Sequence, residues 1–218
     1  MRGDVYRFFE RVIIMSKEWS GNKSSTFTTI GATGHGTYKR EQGDFYATDP
    51  KALLALHYAY KLPKSKHIWE CACGNGGLSE TLKTYGYDVI STDLYNRGYG
   101  ETGIDFLQTK ELLAPCILTN PPYSLATDFV LHALNLGAEE LYMFVKLQFL
   151  EGKRRYREIY SKTPPAEILQ FVERMRVAKN GDYETYKESS AMAFCWLVWK
   201  RGFAGNPQLS WISAESVI

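Results

Sequence analysis

Asn120-Pro121-Pro122-Tyr123 follows the apolar run Cys116-Ile117-Leu118-Thr119, and this junction carries the clearest chemical signal in the chain. The run reads as a buried strand. Two successive prolines lock their own φ and supply no N–H, and Pro121 biases Asn120 toward an extended backbone. The Asn120 amide oxygen and the Pro121 carbonyl can then grip a planar NH2 group, while Tyr123 offers a flat face to the ring that bears it. A strand ending in an Asn-Pro turn, with Tyr123 as a half-buried core residue, accounts for the same residues without any chemistry. The upstream sequence separates the two.

There, His67 to Ala72 reads as a strand that runs into Cys73-Gly74-Asn75-Gly76-Gly77 and then into a helix from Leu78 to about Tyr85. A strand, a glycine turn and a helix form the first half of a nucleotide-binding unit, in which glycine lets the backbone approach a ligand at the helix N-terminus. Asp88 to Leu94 is the next strand, with Asp93 at its end, 19 residues after Gly74. An acidic residue at about that distance is placed to bind ribose hydroxyls. Ser79 stands where the dinucleotide fingerprint has its third small residue. The combination favours adenosine binding over a purely structural turn. Asp105 either ends a third strand near the same crevice or caps a helix from Leu107 to Leu113.

Further elements must position these groups. Thr48 or Asp49 can cap a helix that Pro50 opens and Pro63 closes, with Ala52, Leu53, Leu56, Ala59 and Tyr60 at helical spacing. A helix from Ser124 to about Leu136 follows Tyr123, with His132 on its surface. Glu140 to Lys146 is a strand, and a basic run, Lys153-Arg154-Arg155-Tyr156-Arg157, emerges after it. In a parallel sheet all strands end on one edge, so this run joins Gly74, Asp93 and Asn120 there. It suits a phosphate backbone, or it is a solvated helix face. Ile168 to about Val172 and Ala191 to Trp199 are the last two strands. The polar segment between them places Arg176, Lys179, Tyr183, Tyr186 and Lys187 as substrate-contact candidates. The tail after Gly202 carries no signal. No internal repeat is present.

With 218 residues, 44% apolar and 23% charged, the chain fits one α/β domain with a full core. Its net charge of +2 is too small to point to nucleic acid by itself, so any such partner must be read from local clusters. Cys71, Cys73, Cys116 and Cys195 all lie in apolar runs and lack zinc-ligand spacing, which reads as buried, reduced thiols in a cytoplasmic protein with no metal. Residues 1–15 have no long apolar core of a targeting signal, and nothing reaches the length of a membrane span. Residues 16–44 are rich in Ser, Thr, Gly and Lys, which suits a flexible or lid-like arm over residues 1–44.

These features, from Phe45 to Trp199, resemble the S-adenosylmethionine-dependent methyltransferases that modify amino nitrogens, in particular small DNA adenine-N6 enzymes of phages and prophages, as found in restriction-modification. The resemblance implies a Rossmann-like class I fold over residues 45–218: a mostly parallel seven-stranded sheet with an antiparallel last strand, helices on both faces, and small recognition loops at about 149–163 and about 174–190. It implies S-adenosylmethionine as cofactor, with Tyr46 and Thr48 beside its methionine part. Glu70, Ala72, Gly74 and Gly76 would surround it, Asp93 and Leu94 would lie at the ribose, and Asp105 and Phe106 at the adenine. Ala47 and Asp49 spread the compact Phe-Tyr-Thr-Pro pattern over six residues, so either Tyr46 or Thr48 could make the contact. Asn120, Pro121, Pro122 and Tyr123 would hold a target adenine flipped out of double-stranded DNA. Lys153, Arg154, Arg155, Arg176, Lys179 and Lys187 would meet the nucleic acid.

Three alternatives stay open. Related enzymes with the same tetrapeptide methylate RNA adenine or the glutamine of peptide release factors, although the latter usually carry a helical N-terminal domain. A catalytically silent nucleic-acid-binding module is the third, against which the joint presence of Gly74, Gly76, Asp93, Asn120 and Tyr123 speaks.

Overall fold

The computed structural model describes residues 46–175, 177–179 and 192–215. The arm at residues 1–44, Arg176, and residues 180–191 with Lys187 lie outside the described residues. In chain order the elements are β1 (Tyr46–Thr48), α1 (Lys51–Tyr58), β2 (His67–Glu70), α2 (Gly77–Thr84), β3 (Asp88–Asp93), β4 (Glu101–Thr102) and β5 (Cys116–Thr119). They continue with α3 (Ala126–Leu136), β6 (Glu140–Lys146), the single turn α4 (Lys153–Arg155), β7 (Glu167–Phe171), β8 (Val177–Lys179), β9 (Phe194–Lys200) and β10 (Gln208–Ile212).

Eight strands form the main sheet in the order β10-β7-β9-β6-β5-β2-β3-β4, and β1 pairs with β8 in a separate antiparallel ribbon. Only β9 runs against its neighbours in the main sheet. The expected mostly parallel sheet is therefore present, with one strand more than expected. The tail after Gly202, which carries no sequence signal, forms β10 and lies parallel to β7. Its Leu209 and Trp211 are exposed, so the strand follows from backbone pairing rather than from an inward apolar face.

The core alternates strictly across the sheet. On β6 and β9, Tyr142, Phe144, Phe194, Trp196 and Val198 face one layer, while Leu141, Met143, Val145, Cys195, Leu197 and Trp199 face the other. That is the period of two expected of strands buried on both sides. The first layer packs against Ala52, Leu53, Ala55 and Leu56 of α1 and Leu78 and Leu82 of α2. Ala126, Phe129, Val130 and Ala133 of α3 cover the second. Each such aliphatic or Phe side chain removed from water contributes about 1.5–3 kcal/mol.

Helix α1 is shorter than its apolar spacing predicts. Tyr60 adopts a left-handed φ of 54° and is fully exposed, and Lys61 N–H returns to the Leu56 carbonyl at 2.8 Å. This left-handed closure takes Tyr60 off the buried face. At the other end Asp49 supplies the cap, its Oδ1 accepting from Lys51 N at 3.0 Å. Thr48 is thereby left for another task. Among the described residues no helix is long and apolar enough to cross a membrane.

Candidate functional site

Strands β2, β3, β5 and β6 are parallel, so their C-terminal ends share one edge of the sheet. There a cavity of about 260 Å³ opens, lined by Thr48, Glu70, Ala72, Asp93, Leu94, Asp105, Phe106, Asn120, Pro121, Pro122 and Tyr123. Eleven residues singled out from the sequence thus meet at one place, although they are spread over more than 70 positions.

One wall is acidic and held by local hydrogen bonds. Asp93 Oδ2 accepts from Gly74 N and Oδ1 from Tyr95 N, both at 2.8 Å, so this carboxylate ties the glycine turn to the end of β3. Glu70 is fully buried and accepts from Ser79 Oγ, which itself lies 2.7 Å from Ser91 Oγ. Burial pushes the Glu70 carboxyl up to about 8; the Ser79 hydrogen bonds pull against that, and the nearby charge of Asp93 adds to it. Ser79, which breaks the dinucleotide fingerprint, is therefore the direct partner of the buried acid. Cys71 and Cys73 are reduced in the same wall, and burial raises both thiols, Cys73 to about 12. They are poor nucleophiles for that reason.

The glycine turn differs from expectation in one respect. Gly74 and Gly76 have φ of 56° and 85°, as a left-handed turn requires. The space a Cβ on Gly76 would fill is taken by the Tyr99 ring, 2.5 Å away, and not left for a ligand. Tyr99 is fixed across α2 by Glu80, to which its hydroxyl donates, and by Lys83, whose Nζ donates to that hydroxyl at 2.7 Å. Asp105 resolves as a cap: Oδ1 accepts from Leu107 N at 3.0 Å and starts a 3₁₀ turn, Phe106–Gln108, not the longer helix anticipated. It lines the cavity as well. Phe106 is only 2% exposed, packed among Trp69, Phe129 and His132 with centroids 4.8–5.2 Å away. His132, expected at the surface, stands edge-on to Phe106 with Nε2 3.3 Å from Thr109 Oγ1.

The opposite wall is the Asn-Pro-Pro-Tyr segment. The Pro122 carbonyl accepts from Leu125 N at 2.9 Å and closes the turn into α3, whereas among the described residues no backbone N–H donates to the Pro121 carbonyl. Asn120 Nδ2 donates to Thr48 Oγ1 at 2.9 Å. The Tyr123 ring lies 6.1 Å from Phe194, with Lys146 Nζ 4.6 Å from its centroid. Tyr123 also borders a second cavity of about 300 Å³, together with Lys146, Gln148, Phe149, Gly152 and Arg155.

The basic run after β6 is less open than its sequence suggests. Arg154 pairs with Asp128 at 2.6 Å and Glu158 at 2.8 Å. Arg155 donates through Nε to the Phe149 carbonyl at 2.7 Å and through Nη2 to that of Glu151, shaping the loop. Lys153 is exposed and, among the described residues, has neither kind of partner. Lys179 lies on β8 opposite Tyr46 of β1, on backbone pairing alone. Sequence reasoning missed Tyr95, Arg97 and Ile104, which also line the first cavity. The rule that ligands sit beyond strand ends marks the loop after β3 and could have found them. Among the described residues no three His, Cys, Asp or Glu side chains gather as a metal site.

No protein-family model and no curated protein matches the sequence. Solved structures do match in fold. The methyltransferase subunit of a type I restriction-modification system from Streptococcus thermophilus superposes with a TM-score of 0.57 at 13% identity over 79% of this chain. A Pyrococcus horikoshii protein assigned as an RNA methyltransferase gives 0.54 at 14% identity, over 79% of this chain and 95% of its own. A Listeria monocytogenes protein assigned as a class I S-adenosylmethionine-dependent methyltransferase gives 0.50 at 14% identity, over 90% of this chain and 73% of its own. The chain has the class I methyltransferase fold. It spans about half the length, 48%, of the Streptococcus subunit. In this methyltransferase fold the cavity lies where the parallel strands end, with the acidic wall on β2 and β3 and the Asn-Pro-Pro-Tyr wall on β5.

Proposed function

We propose that the chain is an S-adenosylmethionine-dependent methyltransferase that modifies the N6 amine of adenine in DNA. The observation that carries this reading is the facing of two walls across one cavity: buried acids on one side, and Asn120 to Tyr123 on the other.

The residues present fit the cofactor. Glu70 and Asp93 give a buried acidic surface suited to a cationic, hydroxyl-bearing nucleoside, and Asp105 with the edge of Phe106 suits its amino-purine. Thr48 and Tyr46 are the candidates for the methionine end, along with the Ala72–Gly76 turn. When bound, S-adenosylmethionine supplies a methyl group already activated on a sulfonium centre. The protein's part is then mainly positioning, since an aromatic amine is a poor nucleophile but its electrophile is strong. Asn120 Oδ1 and the Pro121 carbonyl accept from the two N–H groups of the amine, hold its lone pair toward the cofactor, and stabilise positive charge that grows on nitrogen. Tyr123 stacks on the target ring, offsetting part of the few kcal/mol, roughly, that extrusion from a duplex costs. The second cavity beyond Tyr123, with Lys146 and Lys153 nearby in the chain, offers room and charge for the adjoining backbone. Lys179, Arg176 and Lys187 extend this proposed contact, and Arg154 and Arg155 serve it by shaping the loop. In this reading residues 45–218 are a single catalytic domain, in a cytoplasmic enzyme. The likeness to a restriction-modification methyltransferase subunit supports DNA as acceptor.

The test is transfer of labelled methyl from S-adenosylmethionine to adenine-containing duplex DNA, single-stranded RNA and a release-factor protein in parallel, followed by nucleoside and amino-acid analysis. N6-methyladenine in DNA alone is the expected product. Label in RNA or protein alone would replace the acceptor, and label in none would overturn the assignment.

A further inference from the structure

Resting on the methyl-transfer reading, we propose that Tyr99 is a positioning residue for the cofactor, acting through the glycine turn whose shape it fixes before the cofactor binds. Three of the five residues in Cys73-Gly74-Asn75-Gly76-Gly77 are glycine, and glycine loses more backbone freedom on ordering than any other residue. The turn is therefore costly to hold in one shape. Cys73 N donates to the Thr92 carbonyl at 3.0 Å, Gly74 N to Asp93 Oδ2 and Gly76 N to the Cys73 carbonyl, both at 2.8 Å. Gly76, however, begins α2 without any side-chain hydrogen bond to cap it. Its support comes from outside the turn.

Tyr99 supplies it. Its ring lies 2.5 Å from where a Cβ on Gly76 would stand, an approach that only glycine permits. The far end of the ring is anchored on α2, the helix that the turn leads into: the hydroxyl donates to Glu80 and accepts from Lys83 Nζ at 2.7 Å. These directions cannot be exchanged. The hydrogen bonds from Tyr99 and Lys83 hold the Glu80 carboxyl below its ordinary range, so it only accepts, and the Lys83 ammonium only donates. Beside the ring, Gly100 at a φ of 69° packs its backbone against the Ser91 carbonyl and Cys73 Sγ. Cys73 Sγ also lies 3.7 Å from the Tyr99 carbonyl. One side chain thus joins the glycine turn, α2 and the loop after β3. The turn lines the first cavity through Cys73, Asn75 and Gly77, and the loop lines it through Leu94, Tyr95 and Arg97, while Gly76 meets the ring. Without the ring, the cofactor itself would have to order this stretch of wall on binding, which lowers affinity and leaves the chemistry alone.

The experiment uses the full chain carrying Tyr99→Ala, which removes the ring, or Tyr99→Phe, which keeps it. Ile212→Ala, a buried position on β10 at the opposite edge of the sheet from β4, serves as a control that lowers stability far from the turn. S-adenosylmethionine affinity is read by calorimetry on folded protein, turnover at saturating cofactor on whichever acceptor the wild-type enzyme labels, and backbone mobility by amide hydrogen exchange. The expected results for Tyr99→Ala are an affinity lower by about tenfold and a turnover at saturation within about threefold. Exchange at residues 74–77 quickens by about tenfold in the free protein and returns to the wild-type rate with cofactor bound. Tyr99→Phe keeps its affinity within about threefold, and Ile212→Ala changes neither affinity nor exchange at the turn. An undiminished affinity in Tyr99→Ala, an equal fall in Ile212→Ala, or a turnover at saturation that falls with the affinity would each overturn the proposal. If the wild-type protein binds no S-adenosylmethionine, the methyl-transfer reading fails by itself; exchange at residues 74–77 that is unchanged in Tyr99→Ala overturns the role of the ring separately.

Discussion

The two walls of the cavity are built in different ways. On the acidic wall every key contact closes within a short stretch of chain: Glu70 to Ser79 spans nine residues and Gly74 to Asp93 spans 19. On the acceptor wall the contacts are distant in sequence, with Asn120 reaching Thr48 72 positions away and Tyr123 meeting Lys146 and Phe194. A consecutive strand-turn-helix-strand unit dictates the first wall almost by itself, whereas the second exists only once β1, β5, β6 and β9 are assembled. The difference implies separable duties. Changes on the acidic wall should act on cofactor affinity, and changes on the acceptor wall on turnover.

The largest effect on the acidic side is expected from Asp93→Ala, which removes the acceptor of both Gly74 N and Tyr95 N and the ligand proposed for the ribose. Cofactor affinity, measured by calorimetry, falls by about 100-fold or more. A variant that instead kept its affinity and lost turnover would dissolve the division between the walls.

A smaller effect concerns pH. Glu70 titrates near about 8 in the free protein because it is buried, so a bound cation favours its ionised form and binding expels a proton. Cofactor affinity therefore rises with pH by up to about tenfold per unit between about pH 6 and about pH 8, and Glu70→Gln removes that slope. Calorimetry in two buffers of unlike ionisation heat reads the proton directly. Folding stability carries the opposite sign. Between the ordinary carboxylate range and about 8 the unfolded chain has already lost this proton while the folded chain keeps it, so Glu70 lowers stability as pH rises through that window. A cofactor affinity flat in pH would mean that Glu70 does not face the bound cation.

The smallest effect is read in stability. Gly76→Ala places a methyl against the Tyr99 ring at a φ of 85°, and costs roughly 1–3 kcal/mol in chemical denaturation. Adding Tyr99→Ala relieves the clash but leaves the backbone term, about 1 kcal/mol. Full recovery in the double variant would assign the whole cost to the ring.

Local closure also explains what could be read from the sequence. Gly74, Gly76, Asp93 and Asn120 were legible because strand ends and glycine turns are marked by neighbouring residues, and the parallel order then puts all of them on one edge. The sequence leaves Thr48 open between helix cap and cofactor contact, and only the fold shows Asp49 Oδ1 accepting from Lys51 N at the start of α1. Arg154 and Arg155 read as open charge since their partners, Asp128 and the carbonyls of Phe149 and Glu151, are fixed only by the folded loop. Tyr99 over Gly76 has no sequence signal, because a glycine that admits a ring looks the same as one that admits a ligand. Strand β10 was hidden for a similar reason: an edge strand with Leu209 and Trp211 turned outward shows no inward alternation.

The division of labour is tested most directly by Asn120→Ala, with cofactor affinity and methyl-transfer turnover measured on the same preparation. The expected result is an affinity within about threefold of wild type and a turnover lower by about 1,000-fold or more, since the lost group acts on the acceptor amine. Equal loss of affinity and turnover would contradict it and place Asn120 on the cofactor.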